Sequence, residues 1–484
     1  MASAANSLWL SSVNGLMQIV GMYLLYSVLS DPQKKGKLFQ TWLFTSLWLI
    51  GSVWWLYIAL HDFGGLNNVI TLIALFLLCG GLAIYYMGAL SVMIFARNQI
   101  PKIWRPVVFA ACWTFAELAR AQWWTGFPWA AIGYSQVDTT LSLAAPYLGV
   151  YGIGFLSLIL SAYAYEYFKE KSRTFIVLGL CLSLPMLAIN KEVSQTEITV
   201  NLLQGNIKQD EKFNVAKQDA LEWYLSEIKN NKADIAVLPE TAIPFIKEDL
   251  PSEFWDQLKL MTQNKATIIG IPTRDKDKGY GNSAIGLGFK QELQYDKYHL
   301  VPFGEFTPEI LRWFTRMMSL DFGDFNRGAI NQPTFEWRDQ KLAITICYED
   351  LFGEDLAGRF NDVVNAPSLF VNISNIGWFG DTSVVNQHID IARMRSKEFK
   401  RPTIRATNSG GTAIISSEGQ VLAQLKPYTR GHLIGKLPAS SKEITVFAYW
   451  ASKWGLMPLW IFTGMIMLTT LLYKRFRHKG ESVK

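Results

Sequence analysis

Apolar residues follow one another with little interruption at the start of the chain and then thin out. Between residues 8 and 189 charged side chains are scarce, whereas from 191 to 449 they return at the density of an ordinary soluble domain. A helix needs about 20 mostly apolar residues to cross roughly 30 Å of hydrocarbon. Six segments of the first region offer themselves, at 8–29, 39–60, 69–96, 103–118, 147–168 and 174–189, the fourth and sixth being the shortest. A last apolar run, 456–473, follows the charged region. The pattern predicts a transmembrane helical region at 1–190, a globular domain at 191–449, and a C-terminal transmembrane helix with a basic tail at 450–484.

Within the globular region the period changes. Short β-branched and apolar runs at 198–207, 234–238, 267–272, 283–289, 342–347 and 369–374 read as buried strands. The segments 215–230, 253–263 and 384–400 place apolar residues three or four apart with charges opposite, as amphipathic helices do. Strands alternating with helices predict an α/β domain with helices packed outside the sheets. The late runs 412–417, 421–425 and 432–437 read as a meander, and 274–281 as a loop or hairpin tip.

Charge then fixes an orientation. Lys and Arg collect in alternate loops: Lys34, Lys35 and Lys37; Arg97, Lys102 and Arg105; Lys169, Lys171 and Arg173; and Lys474, Arg475, Arg477 and Lys479. Basic residues near helix ends stay on the cytoplasmic side. The alternation predicts an outside N-terminus, an inside C-terminus and a globular domain on the outer face of a bacterial inner membrane, in the periplasm. The net charge of +6 is largely accounted for by these loops and the tail, so it is no argument for nucleic acid. The first segment lacks a basic leader and a small-residue cleavage site, which argues against a cleaved signal peptide.

Of four cysteines, Cys79, Cys112 and Cys181 fall in or near the apolar segments and only Cys347 lies in the globular region. A lone thiol in an oxidising compartment has no intramolecular partner, which leaves a free and reactive group to consider. The strand at 342–347 stops at Tyr348-Glu349-Asp350, before a helix expected to begin near Leu351. A helix N-terminus there would lower the thiol pKa. A cysteine nucleophile also needs a proton acceptor and a cation for the oxyanion. Two segments supply these residue types: 234–240 (DIAVLPE), a strand ending in Glu240, and 295–306 (YDKYHLVPFGEF), with Lys297 and Glu305 around a Pro-Phe-Gly turn.

The succession LPE, K-x4-PFGE and CYE resembles the nitrilase superfamily, the carbon-nitrogen hydrolase domain. That resemblance implies a four-layer α-β-β-α sandwich and a catalytic triad of Glu240, Lys297 and Cys347, with Glu305 as a fourth catalytic residue and Glu349 and Tyr348 in support beside the nucleophile. The stretches TGFPWAAIGYSQ (125–136), HDFGG (61–65) and HLVPFGEFTP (299–308) are similar to the apolipoprotein N-acyltransferase family. The likeness implies transfer of a fatty acyl group from the sn-1 position of a phospholipid, through a thioester, to the α-amine of the diacylglyceryl-cysteine of an apolipoprotein, with no metal or cofactor. It places Phe213, where some members carry Trp, on a substrate-facing arm, and sets Trp378 among the supporting residues. Family members have eight membrane helices with both ends cytoplasmic, so this chain is expected to lack the first, and to act as a monomer.

Further expectations attach to the apolar surface. Trp124 and Trp129 are expected to line a lipid entrance or form an interfacial belt, and 310–325 to form a membrane-dipping lid or to pack in the core. Glu117 and Arg120, three apart, could pair on one helix face. The rival readings are a membrane-tethered amidase with water as acceptor, a Cys-His peptidase using His388 or His299, and a non-catalytic lipoprotein-binding protein.

Overall fold

The computed structural model describes residues 2–170, 195–275, 279–288, 291–307, 309, 325–440 and 442–481. The chain divides into two compact units, one comprising 1–54, 67–190 and 454–484, the other 55–66 and 191–453.

The described part of the first unit is helical: Ala2–Ser30, Lys37–Val53, Asn68–Ala96, Arg105–Gln122, Ala145–Glu170 and Met457–Glu481. Its exposed face is not that of a soluble bundle. Along Asn68–Ala96 the small or polar Thr71, Cys79, Gly80 and Ala83 are buried, whereas Val69, Leu72, Ile73, Leu77 and Ile84 are exposed. Small residues let helix backbones approach, and large apolar ones face a solvent that does not repel them, which is the arrangement suited to lipid. Among the described residues, four helices are long and apolar enough to cross a membrane, or up to five if a bent pair counts as one span.

Three sequence expectations need correction here. The run 39–60 is not one helix: Lys37–Val53 ends, a new helical segment begins at Leu56, and 55–66 belongs to the second unit. The segment 103–118 forms the helix Arg105–Gln122, which is buried along most of its length. Glu117 and Arg120 on it turn to a loop: Glu117 Oε1 accepts from the Ile132 N–H (2.9 Å) and Trp113 Nε1 (3.2 Å). Arg120 donates to Tyr86 Oη (2.9 Å) and to the carbonyls of Phe127 and Trp129. Thirdly, the C-terminal membrane segment does not begin at 450, because Val446–Trp454 is a separate helix whose Phe447, Ala448 and Ala451 pack on the second unit. The segment 174–189 lies outside the described residues, as do 276–278 of the expected loop or hairpin tip and 310–324 of the segment expected to form a lid or pack in the core.

Among the described residues the second unit has twelve strands: β1 Gln195–Gln204, β2 Ile235–Val237, β3 Ala266–Asp275, β4 Gly279–Gly288, β5 Gln291–Asp296, β6 Phe335–Trp337, β7 Gln340–Ile346, β8 Leu369–Ser374, β9 Thr403–Thr407, β10 Ala413–Ile415, β11 Val421–Gln424 and β12 Gly431–Pro438. They form two six-stranded sheets, ordered β12-β1-β2-β3-β4-β5 and β11-β10-β9-β8-β7-β6. In each sheet the central strands run parallel, β1-β2-β3 and β7-β8-β9.

Strand periodicity explains the layering, since alternate side chains point to opposite faces. Val200, Leu202, Ile268, Ile344, Val371 and Ile404 share one core between the sheets. Leu203, Ile269 and Ile271 on the outer face of the first sheet meet Tyr224 of Lys217–Asn230 and Leu258 of Ser252–Thr262. On the outer face of the second, Ala343 and Phe370 meet Phe399 of Val384–Phe399. The result is the four-layer α-β-β-α sandwich that the sequence implied. The late meander is corrected: β10 and β11 form a hairpin, but β12 crosses to the other sheet and pairs antiparallel with β1.

Candidate active site

Parallel strands bring their carboxyl ends to one edge, and in open α/β sheets that edge is where sites form. Glu240 lies three residues beyond β2, Cys347 directly follows β7, and Asn375 directly follows β8. Lys297 follows β5 by one residue, and Glu305 lies on the loop beyond it.

The structure closes a buried ring around Lys297. Its ammonium donates to Glu240 Oε1 (3.2 Å) and Glu305 Oε1 (2.9 Å). Asn282 Nδ2 donates to the same two oxygens, at 2.6 Å and 2.7 Å. The second oxygen of Glu240 accepts from the Asn375 N–H (2.8 Å), and that of Glu305 from the Val301 N–H (2.8 Å). Burial by itself would drive Lys297 toward the neutral amine; the Glu240 and Glu305 carboxylates override it and hold the ammonium well above its ordinary pKa. Asn282 also accepts the Lys297 N–H on its backbone carbonyl (2.8 Å). Nothing in the sequence singles Asn282 out, because it sits within β4 beside glycines and its role depends on which loops meet it.

Cys347 stands at a strained corner. Its φ is +53°, a conformation that costs a non-glycine residue about 1–3 kcal/mol and persists where the surroundings over-determine it. Here its carbonyl accepts from Asn372 Nδ2 (3.3 Å) and His388 Nε2 (3.2 Å). Burial and the neighbouring Arg405 depress the His388 pKa far below the usual imidazole range, so it donates as a neutral ring. The imidazole contact is thus to the backbone oxygen of Cys347. His299 engages the Asp355 carboxylate. The peptidase reading would call for an imidazole on the thiol, whereas these Nε2 bonds of His388 and His299 go to a backbone carbonyl and a carboxylate.

The expected helix N-terminus is weaker than the sequence suggested. Cys347 opens a 3-10 turn, Cys347–Leu351, and only the six-residue helix Gly353–Gly358 follows. Burial, followed by the negative charge of Glu240, pushes the thiol up to about 12, against the opposing pull of Lys297 and Arg405. The resting group is therefore a thiol at neutral pH. Alkylation of Cys347 by iodoacetamide should accordingly keep rising close to tenfold per pH unit between pH 7 and 10. A plateau below pH 9 would contradict this reading.

Glu349 ties the two halves of the site together. Its Oε2 accepts from Tyr295 Oη (2.8 Å) and the Ile346 N–H (2.7 Å), and its Oε1 from the N–H groups of Tyr298 (2.7 Å) and His299 (3.3 Å). The end of β7 is thus locked to the loop that carries Lys297. Burial raises the Glu349 pKa, opposed by these N–H donors. Beside Cys347 a second buried pair, Asp350 with Arg405 (2.6 Å), was not foreseen from the sequence, since β9 itself was missed.

The remaining residues are more dispersed. Tyr348 is buried with its ring edge on Phe352 (5.3 Å). Phe213 is half-exposed, as is Trp378, which meets Phe63 edge-on at 5.2 Å. Trp124 and Trp129 belong to the first unit; Trp124 is exposed and Trp129 is buried.

Comparison with known proteins places the chain in a family. Residues 8–163 match the family described as apolipoprotein N-acyltransferase N-terminal domain, and residues 199–444 match the carbon-nitrogen hydrolase family. The chain is 40% identical to the apolipoprotein N-acyltransferase of Verminephrobacter eiseniae, over 85% of this chain and 82% of that protein. It is 34% identical to that of Ralstonia nicotianae, over 90% and 84%. Among solved structures, Nit3 of Saccharomyces cerevisiae, a nitrilase-superfamily member, aligns at 17% identity and a TM-score of 0.38, covering 52% of this chain and 93% of that one. Identity at this level, over most of both chains and across both units, means that the chain belongs to the apolipoprotein N-acyltransferase family.

Proposed function

We propose that the chain moves a fatty acyl group from the sn-1 position of a phospholipid, through a thioester on Cys347, to the α-amine of the diacylglyceryl-cysteine of an apolipoprotein. The observation that carries this reading is the ring of Glu240, Glu305 and Asn282 closed around Lys297, near enough to Cys347 for its charges to act on a thiol that is protonated at rest. Such a thiol must lose its proton as it attacks, so the base has to be close and poised.

In the first step Glu240 takes the Sγ proton while sulfur adds to the ester carbonyl carbon. The oxyanion is held by Lys297, two of whose three N–H bonds are committed to carboxylates, and by backbone N–H groups. Collapse breaks the ester C–O bond, and the lysophospholipid oxygen leaves with the proton from Glu240. In the second step the α-amine adds to the thioester carbon, Glu240 accepts the amine proton, and the C–S bond breaks to return it to the thiol. An amide is more stable than a thioester, so the second step runs downhill without further input. Positioned proton transfer of this kind contributes about 10²- to 10⁴-fold.

The alternation of basic loops supports a periplasmic face for the α/β unit and an inner-membrane location. Phe213 and Trp378, both half-exposed in the same unit as the thiol, are suited to contact acyl chains. The purified enzyme, given phospholipid with a labelled sn-1 chain and a diacylated lipopeptide, should yield labelled N-acyl peptide. Release of free labelled fatty acid alone would replace the transferase with the amidase reading.

A further inference from the structure

Lys212 is a buried amine that the acyl-transfer steps do not use. It is 1% exposed and lies on the segment leaving β1. That segment is held to the ends of β8 and β9. Asn408 receives the Ile207 N–H on its side chain (3.1 Å) and donates to the Ile207 carbonyl (2.7 Å), and Asn375 Nδ2 donates to Gln209 Oε1 (2.6 Å). The lysine therefore arrives from a fixed arm.

Its amine has two recorded acceptors, the carbonyl of Glu240 (3.0 Å) and the hydroxyl of Thr241 (2.5 Å). Both belong to the corner that presents the Glu240 carboxylate to Lys297. The corner is strained, since Thr241 is β-branched and has φ of +48°, a region such residues rarely adopt. On its far side β3 presses against it. A Cβ on Gly270 would lie 2.2 Å from the Pro239 carbonyl oxygen and 2.7 Å from Glu240 Cα. A strained corner persists only when neighbours over-determine it, and here β3 closes one side while the Lys212 amine ties down the carbonyl and hydroxyl.

We propose that Lys212 is a positioning residue for the Glu240 base, its amine fixing the Glu240-Thr241 corner so that the carboxylate stays within reach of Lys297 and the thiol. This rests on Glu240 being the base, as set out above. Two neutral acceptors match the two N–H bonds of an uncharged amine, and burial lowers Lys212 to about 7, with Glu240 pulling the other way. An amine that holds the corner without carrying a full charge leaves the basicity of Glu240 intact.

The test is a double-mutant cycle on the full-length enzyme, following single-turnover acylation of Cys347 by phospholipid with intact-mass detection. Lys212→Met should slow acylation about 10- to 100-fold, the scale of a small misplacement of a reacting group, with the full fraction of Cys347 still acylated and KM for phospholipid within about twofold. In a Glu240→Gln background the same substitution should add less than about a twofold loss, because groups acting as one unit are not additive. Thr241→Val, which keeps shape and removes one acceptor, should slow acylation several-fold and serves if Lys212→Met fails to fold. Undiminished acylation by Lys212→Met, or by Thr241→Val where that variant serves, overturns the inference. So does an equal loss with and without Glu240, or a drop only in the fraction of enzyme acylated. Glu240→Gln at wild-type speed would instead overturn the base assignment, and the inference with it.

Discussion

Cys347→Ala is expected to abolish acyl transfer, with no acyl adduct on the protein and no N-acylated peptide at any time point. The argument is chemical before it is structural. In the proposed route every acyl group passes through a bond to Sγ, so its removal leaves only attack by free amine on a phospholipid ester. Loss of a nucleophile from a constellation that acts as a unit costs on the order of 10⁶ in rate. The structural effect should be small by comparison: one sulfur is lost, while the clamps from Asn372 and His388 hold the carbonyl and are retained. Cys347→Ser should be nearly as inactive, because a hydroxyl is much harder for Glu240 to deprotonate. Both variants should fold, bind lipid and melt within a few degrees of the parent. Intact mass after phospholipid exposure, together with the yield of N-acylated lipopeptide, decides the matter, and transfer within tenfold of wild type by Cys347→Ala would rule out the thioester route.

The second large effect belongs to Lys297. Lys297→Met fills similar volume but leaves Glu240 and Glu305 facing one another in a buried site, each still bonded to Asn282. Removing one partner of a buried ion pair destabilises by about 3–5 kcal/mol, and loss of an oxyanion donor costs about 10²- to 10³-fold in rate. The pH dependence follows from the sign of the shift. In the parent, the pKa of Lys297 is raised, so its contribution is complete below the unfolded value of about 10.4 and is lost only as pH climbs through the folded one. Between pH 5 and 9 it is constant. In the variant the two carboxylates repel, and protonating one relieves the strain. The stability gap to the parent should therefore be widest at neutral and alkaline pH and narrow as pH falls toward 5. Melting curves from pH 5 to 9 test this, and a gap independent of pH would mean that the two carboxylates are not coupled through the lysine.

Part of the molecule could be read directly along the chain. The contrast between apolar and charged stretches separates membrane-compatible helices from an α/β unit because burial and lipid exposure are properties of whole segments. Strand and helix periods located β8 at 369–374 exactly as formed and the helix at 384–399 within one residue. The strands that were missed are β5, β6 and β9, of which β6 and β9 have three and five residues.

The residue types of the proposed site were legible as well, because LPE, K-x4-PFGE and CYE set carboxylates, a lysine and a thiol at or near strand ends. Their company was not. Asn282, Asp350, Arg405 and Lys212 carry no local mark, and each acquires its role from groups 23 or more residues away. The sequence alone determined which segments favour lipid, which form strands and which side chains could do chemistry, since those follow from local hydrophobicity, period and functional group. Only the tertiary structure decided that the thiol rests protonated, that 39–60 breaks at Val53, that β12 crosses to the other sheet, and that Lys297 lies between two carboxylates. Each of those depends on desolvation and on contacts between residues far apart in sequence, and their energies exist only once the chain has closed upon itself.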